Sequence, residues 1–509
     1  MNASWFESIT KFFDWRSLTM LAFGFSAGVP LLLIFSTLSL WLREAGVERS
    51  TVTFFSWAAL GYSFKFVWAP LVDKLPLPMF SSWLGRRRSW LIFSQILIAL
   101  SICAMALIDP AQGSQAIVWM AFAAVALGFS AATQDICIDA FRIESAEESM
   151  QATLSAMYVA GYRIGMLISG AGALLLASRL GTEMDAYNYS AWRFTYFAMA
   201  LCMSVGIFTA LLRPEPVTDQ KIYVHSAKDY LYFFLFFLLL VIVFVLGYLV
   251  TQPLGEWLAI QLESTDMPVD ITTFIAGVLR LTLAIVLVCI AYLGISKLTQ
   301  QHARLLQEGY VQPIQSFFLE HGKYAAMTLL IVVGLYRISD IVLGAVANLF
   351  YQDIGFNKEQ IAFVVKTFGL GMTLLGGFVG GLLTSHYGIY RILLWGGILA
   401  TLTNLLFMGF ALLGPSQLML YVVISADNLA GGIAVAAFVA FLSSLTNISF
   451  TAVQYAIFSS MMTLLPKLFG GYSGTLVDLV DYPGFFLITT LIGLPVILMV
   501  IRCKHFIKS

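Results

Sequence analysis

The sequence predicts an all-α integral membrane protein with 14 transmembrane helices, arranged as two six-helix halves plus an extra central two-helix hairpin. Three observations carry that expectation. Of the 509 residues, 60% are hydrophobic and only 11% are charged, with a mean hydropathy of +0.87, whereas a soluble protein carries about a quarter charged residues. Fourteen stretches reach the length of about 20 apolar residues that a bilayer core requires. A motif also recurs at a constant offset of 309 residues. The composition excludes soluble multidomain enzymes, disordered scaffolds and secreted disulfide domains. With 28 Lys+Arg against 28 Asp+Glu there is no net field to attract nucleic acid.

Residues 1–17 place Trp5, Phe6, Phe12 and Phe13 among Glu7, Lys11 and Asp14. This is an amphipathic segment expected on the cytoplasmic interface, and it lacks the pattern of a signal peptide. Spans at 18–42, 52–72, 89–108, 116–141, 156–177 and 191–212 make an N-terminal half over 18–213. A linker over 214–322 holds the extra hairpin (230–251 and 272–296) and then a polar helix from Leu298 to Glu320. Spans at 324–348, 360–384, 391–413, 417–445, 453–474 and 484–502 make a C-terminal half over 323–503, followed by a tail at 504–509. With a cytoplasmic N-terminus, the even-numbered loops and both termini hold 17 Lys/Arg, and the opposite face holds four (Arg43, Arg49, Arg179, Lys358). The positive-inside rule therefore puts both termini in the cytoplasm.

The repeat pairs Trp41–Phe54, after the first span, with Phe350–Phe363, after the ninth, so that Gly46 corresponds to Gly355. A weaker echo pairs Gln151 with Gln454. Parallel homologous halves of this kind build transporters of the major facilitator superfamily. In the hairpin, Arg280 is better read as pairing with a neighbouring helix than as a substrate contact. The five cysteines form no CxxC pair and no metal-ligand spacing, so they read as small hydrophobes. No cofactor and no metal are expected, and the partners are membrane lipid and a small molecule bound by a monomer.

A charged side chain at mid-bilayer costs about 2.5–3.5 kcal/mol on an insertion scale, so each one within a span needs a reason. These are Asp135, Asp139, Asp340, Asp427, Lys65, Arg163, Arg280, Arg337, Lys366 and Lys467; Arg193 sits at a rim and can snorkel. Asp135 and Asp139 share one helical face, about 6 Å apart along the axis. Two acids so close in low dielectric titrate as a pair, one of them taking up a proton near neutral pH, as proton coupling requires. Arg163, in the next span, is expected to pair with one of them; a static bridge between spans four and five is the other reading. Arg337 and Asp340 are i,i+3 neighbours that either neutralise each other or meet a substrate. Lys366 has no local acid and needs a partner from another helix or an anionic ligand. Lys65, five residues before Pro70, reads equally as structural or functional. Asp427 and Asn428 precede Gly431 and Gly432, a pair that predicts close helix approach. Span thirteen carries Gln454 and Lys467, and Pro466 with Gly470 and Gly471 is expected to break it into a gate. All five histidines are assigned to loops or the tail, which leaves no metal or His-based centre for a membrane-embedded enzyme.

Between spans two and three lie Asp73, Lys74 and then Gly85, Arg86, Arg87 and Arg88. An acid and a base followed by Gly-Arg-Arg/Lys resembles the loop signature of the major facilitator superfamily, which implies a charge latch for the outward-open state. Leu75–Leu84 lengthen the loop here. Further motifs are Phe64–Asp73, Gln134-Asp135, Asp139-Ala140 and Gly161-Tyr162-Arg163-Ile164-Gly165 in the first half. The second half has Lys366-Thr367, Asn428 with Gly431-Gly432, and Phe450 to Gln454. In order and across nearly the whole chain these resemble the AmpG-type muropeptide permeases. The hairpin is a departure, as is Asp427, where the family often has Glu.

The resemblance implies proton-driven import of N-acetylglucosamine–1,6-anhydro-N-acetylmuramyl peptides across a Gram-negative inner membrane for peptidoglycan recycling. Asp135, Asp139 and Arg163 are then the proton-coupling candidates. Amides (Gln134, Asn428, Gln454), cations (Lys65, Arg337, Lys366), acids (Asp340, Asp427) and Tyr162 are the substrate-binding candidates. Tyr62, Trp68 and Tyr336 are further aromatic faces for sugar rings. Asp73, Arg86, Arg87, Arg88, Pro466, Gly470 and Gly471 are the gating candidates. Relatives that carry acetyl-coenzyme A share the broader fold, so another large anionic cargo remains the alternative.

Overall fold

The computed structural model describes residues 9–47, 55, 60–77, 80–183, 186–216, 227–264, 269–298, 307–356, 360–470 and 473–506. The helices are α1 (Trp15–Glu44), α2 (in three pieces: Leu60–Phe64, Lys65–Val67 and Ala69–Lys74), α3 (Arg86–Ala106), α4 (Ser114–Glu144), α5 (Ser149–Arg179) and α6 (Tyr189–Leu212). The hairpin follows as α7 (Leu231–Glu263) and α8 (Val269–Leu298). The second half contains α9 (Lys323–Asp353), α10 (Phe363–Tyr387), α11 (Ile389–Leu413), α12 (Gln417–Ser444), α13 (Thr451–Gly470) and α14 (Ser473–Arg502). Among the described residues, 12 helices are long and apolar enough to cross a bilayer; the described part of α2 and the shorter apolar run of α13 do not reach that length. They fall into two compact units. One unites both six-helix halves, and the other is Gln220–Glu320 with Asp73–Leu75.

The sequence repeat is a repeat of geometry. After α1, Gly46 takes φ +81° and the amides of Gly46 and Val47 donate to the carbonyls of Arg43 and Leu42. After α9, Gly355 takes φ +102° and the amides of Gly355 and Phe356 donate to those of Gln352 and Tyr351. Every partner is shifted by the same 309 positions. This left-handed glycine closes the last turn of each helix, since only Gly adopts it without strain.

Within the halves, glycines set how closely helices cross. A Cβ on Gly161 would lie 1.9 Å from the Leu21 carbonyl oxygen, and one on Gly28 would lie 2.0 Å from that of Tyr162. The Gly161–Gly165 motif is therefore the α1–α5 crossing, packed backbone to backbone. The predicted close approach at Gly432 holds too: a Cβ there would meet the Thr373 oxygen at 2.5 Å and the Gly377 nitrogen at 2.7 Å, which joins α10 to α12.

Irregular backbone occurs elsewhere than expected. α13 runs continuously through Pro466 to Gly470, so Pro466 does not divide it; Gly471 lies outside the described residues. Breaks fall instead at Phe35 in α1, at Lys65, which opens a 3-10 turn inside α2, at Tyr336–Arg337, where α9 splits into Lys323–Leu335 and Ile338–Asp353, and at Asp481 in α14, where φ is +56°. Lys366 sits in a π-helical stretch, Ile361–Phe368, at the start of α10. Such turns cluster at functional positions.

Both chain ends lie on one face. Tyr324, at the start of α9, meets the ring of Phe506 at 6.5 Å. The Lys11–Phe13 turn lies across the ends of α5 and α10. Lys11 Nζ donates to the Ser149 carbonyl at 3.2 Å and to Ser385 Oγ at 3.5 Å, and Phe12 is buried against Phe378 with ring centroids 4.6 Å apart. This part of the amphipathic segment thus packs between the halves. Asp14 then caps α1 by accepting from the Arg16 amide at 2.8 Å.

In the hairpin unit, Arg280 donates to the Tyr248 carbonyl at 2.9 Å and lies over the Tyr248 ring at 4.2 Å. That is the helix-pairing role read from the sequence.

Candidate functional site: two charged layers between the halves

The halves meet near the chain-end face through α5 against α10 and α12, and through α13 against α2 and α4. Buried charges occupy this junction. Lys65 Nζ pairs with Asp139 Oδ2 at 3.3 Å, and Arg142 Nη2 reaches Asp139 Oδ1 at 3.5 Å. Arg142 Nη1 also donates to Gln151 Oε1, Ser155 Oγ and, across the junction, Ser443 Oγ at 2.6 Å, while its guanidinium lies 5.0 Å above the Tyr455 ring. One turn farther out, Arg87 grips Glu144 with two nitrogens at 2.5–3.1 Å and donates to Thr451 Oγ1 at 2.9 Å; Thr451 in turn donates to Glu144. Arg87 and Glu144 are each about 1% exposed, so neither charge has water to fall back on. Breaking such a buried pair costs about 3–5 kcal/mol.

The arginine run has a backbone reason as well. Gly85 has φ +86°, and the Glu215 side chain lies where its Cβ would be, 2.5 Å away. Glu215 accepts from the amides of Arg87 at 2.7 Å and Arg88 at 3.0 Å, which caps α3 with an anion. Burial raises the Glu215 carboxyl above its usual range, against the pull of those amides and of the Arg87 charge. Arg88 donates to the carbonyls of Ala210 and Leu211 at the end of α6. Lys74 ends α2 beside Asp73.

Asp135 lies one turn deeper than Asp139. It accepts a hydrogen bond from Tyr158 Oη at 3.4 Å, and no cation is within ion-pair distance among the described residues. The two acids thus differ: Asp139 is clamped by Lys65 and Arg142, and Asp135 is held by a phenol. Gln134 is fully buried with both amide ends unpartnered among the described residues. Tyr62 Oη is similarly buried without a partner.

Arg163 does not pair with either acid. Among the described residues it forms no ion pair with Asp135 or Asp139, whose partners are Tyr158 for the first and Lys65 and Arg142 for the second. The reason is helix phase: Gly161 and Gly165 must face α1, and Arg163 between them points the other way. Arg337 donates to Asp340 at 2.8 Å. Asp427, on α12, accepts from Thr403 at 3.2 Å and also senses Asp340. At a rise of 1.5 Å per residue, Asp139 and Asp135 lie about 8 and 14 Å from the chain-end tip of α4. Arg163 and Arg337 lie about 22 and 21 Å from the tips of α5 and α9, and Asp427 about 26 Å from that of α12. The charges form two layers, a sealing layer and a mid-span layer.

Several candidates hold the scaffold instead. Asn428 accepts from Thr373 at 2.8 Å inside the second half. Gln454 accepts from the Asn447 amide at 2.7 Å, and Gln151 donates to the carbonyls of Arg142, Ile143 and Ala146. These echoing glutamines each close the turn before their own helix. Tyr336 is spent on the Leu393 carbonyl and a stacked Phe438, and Trp68 on Thr133. His386 lies in the last turn of α10 rather than in a loop.

Sequence reasoning missed Arg142, Glu144, Ser443, Thr451 and Glu215. The span drawn at 116–141 stopped three residues short, whereas α4 runs for 31 residues to Glu144. Reading Asp139, Arg142 and Glu144 as one helical end would have found the first two.

Comparison with known proteins agrees with this architecture. The family model described as Major Facilitator Superfamily matches residues 17–307 and 329–505. A putative transporter AmpG 4 of Rickettsia conorii is 32% identical over 97% of this chain and 99% of its own length. The anhydromuropeptide permease of Escherichia coli K12 is 29% identical over 97% of this chain and 80% of its own. Among solved structures, the Escherichia coli fucose:proton symporter FucP superposes with a TM-score of 0.63 at 12% identity, covering 97% of this chain and 98% of that one. The proton:xylose symporter XylE gives 0.58 at 13%, covering 100% and 97%.

Proposed function

The chain belongs to the major facilitator superfamily, in the AmpG-type family, and from that premise we propose that it imports anhydro-muropeptides together with protons. It is a multi-pass membrane transporter, not an enzyme. The proposed cargo is N-acetylglucosamine–1,6-anhydro-N-acetylmuramic acid, with or without its peptide. It moves from periplasm to cytoplasm across a bacterial inner membrane, with both chain ends cytoplasmic and the proton as coupling ion. Full-length likeness to the Escherichia coli anhydromuropeptide permease carries the choice of cargo.

The charge layers support a mechanism. Cargo arrives from the face opposite the chain ends and is held at mid-span while the sealing layer keeps the cytoplasmic side shut. With both acids ionised, Asp135 and Asp139 balance Lys65 and Arg142. A proton on Asp135 leaves that layer with an excess positive charge and loosens its hold on Arg142, which bridges to Ser443. The halves then rock apart on that face, and cargo and proton leave together.

The test is uptake of labelled anhydro-muropeptide into proteoliposomes with and without an inward proton gradient. Accumulation driven by the gradient is expected. Folded protein that takes up none removes this cargo, and uptake of acetyl-coenzyme A in its place would turn the assignment to another large anion. Accumulation indifferent to the gradient removes the coupling alone.

A further inference from the structure

We propose that the Lys11–Phe13 turn is a bolt across the seam between the halves on the chain-end face. It travels with the first half and must leave α10 each time that face opens. The inference rests on the rocking of the halves described above and not on the choice of cargo.

The turn is fastened to the first half. Ser17 Oγ donates to the Lys11 carbonyl at 2.6 Å, Asp14 accepts from the Arg16 amide at the start of α1, and the turn packs on α1 and α5. Those two helices cross backbone to backbone at Gly28 and Gly161, so the turn moves with them as one body.

Phe12 nevertheless reaches the second half. It is 4% exposed, its ring centroid lies 4.6 Å from that of Phe378, and its Cζ is 3.4 Å from where a Cβ on Gly381 would lie. That same point is 2.7 Å from the Ala156 Cβ and 3.4 Å from the Ala152 carbonyl oxygen, both on α5. At Gly381, then, α10, α5 and the turn converge, and the missing side chain is what leaves them room. The contact is selective as well: Phe13, the next residue, is 76% exposed. A segment that served only as an interfacial anchor would turn its aromatic residues to the lipid together. Here one stays outside the protein and the other enters the seam.

The strength of the bolt sits in Phe12. Burying a phenylalanine side chain fully shifts an equilibrium by about 10–150-fold. When the halves part, its α5 side stays covered and its α10 side is lost, which leaves about 3–10-fold as the share of the seam. Lys11 adds little, because its Nζ meets Ser385 Oγ only at 3.5 Å, the limit of a hydrogen bond. Unlike the Arg142–Ser443 and Arg87–Thr451 bonds, this contact is apolar, so its hold is indifferent to a proton in the sealing layer. It sets a fixed threshold that the charged layer must overcome.

Spin labels at Glu147 and Tyr387, on the chain-end tips of α5 and α10, read the seam by pulsed dipolar spectroscopy of the full chain in nanodiscs without cargo. Phe12→Ala should raise the open-to-sealed ratio about 3–10-fold, Phe12→Leu by less, and Lys11→Met by about 2-fold at most. Phe13→Ala is the control and should leave the ratio unchanged. An unchanged ratio in both folded Phe12 variants refutes the bolt. So does an equal shift in Phe13→Ala, which would mark a general effect of the segment at the membrane surface. Labels at Phe13 then tell which half carries the turn. The Phe13–Tyr387 distance should lengthen with opening while Phe13–Glu147 stays single; the reverse pattern places the turn on the second half and overturns the proposal.

Discussion

The seal between the halves can be opened by two conservative substitutions, Ser443→Ala and Thr451→Val. Each removes one hydroxyl and leaves the chain's own charge pairs in place. Ser443 Oγ accepts from Arg142 at 2.6 Å, and Thr451 Oγ1 accepts from Arg87 at 2.9 Å. Both bonds join the first half to the second, whereas Lys65–Asp139 and Arg87–Glu144 lie within the first half and survive opening. A hydrogen bond to a charged group contributes about 1.5–3 kcal/mol. Arg142 Nη1 keeps Gln151 and Ser155, and Arg87 keeps Glu144, so the lower end of that range applies to each, and Thr451→Val also removes the bond that Thr451 donates to Glu144. The double substitution should disfavour the sealed state by about 3–4.5 kcal/mol, a change of about 150–2000-fold in the open-to-sealed ratio. Spin labels at Glu147 and Tyr387, at the exposed chain-end tips of α5 and α10, report the separation by pulsed dipolar spectroscopy in nanodiscs. Wild type should show mainly the short distance, and the double variant a large longer population. An unchanged distribution in the folded double variant would show that these bonds do not hold the halves, and the sealing argument would fail.

Other outcomes follow from the same geometry. Asp135→Asn should abolish gradient-driven accumulation while preserving exchange of cargo across the membrane, which counterflow measures; full accumulation would make Asp135 structural. Gly161→Ala forces a methyl group against the Leu21 carbonyl and should destabilise by about 1–3 kcal/mol, seen as a lower apparent Tm. Gly277→Ala, with open space around it, is the control and should leave Tm unchanged. Arg280→Met removes the contact with Tyr248 and should lower the stability of the hairpin without altering uptake; loss of uptake in folded protein would place Arg280 on the transport path.

Much of the architecture is legible because the bilayer imposes it locally. Span length, the one-sided distribution of Lys and Arg and the offset of 309 are properties of a line of text, and the paired turns at Gly46 and Gly355 realise the last of these. Local charge pairs are legible for the same reason, as Arg337 and Asp340 show. Pairings such as Lys65–Asp139, Arg87–Glu144 and Arg142–Ser443 depend on how helices rotate and cross. Arg163 illustrates the limit: proximity in sequence suggested the acids of α4, but the two flanking glycines face α1 and turn the arginine away from that helix. Helix breaks were equally hidden. Pro466 looked like a breaker, yet α13 runs on through it, while the break at Tyr336–Arg337 follows a single glycine, Gly334, that the sequence reading did not single out.

The small turn at Lys11–Phe13 has a consequence for how this molecule is made. Lys11 and its acceptor on Ser385 are separated by 374 residues, and Phe12 rests on Phe378, so the seat for this turn does not exist until α10 has been synthesised. While the first half and the hairpin emerge, that phenylalanine has no seat in the protein and must wait at the membrane surface. Completion of α10 gives it one. The Lys11–Phe13 turn is therefore a late arrival in assembly, and a ribosome stalled before α10 would leave a half-protein whose spans are inserted but whose Phe12 remains undocked.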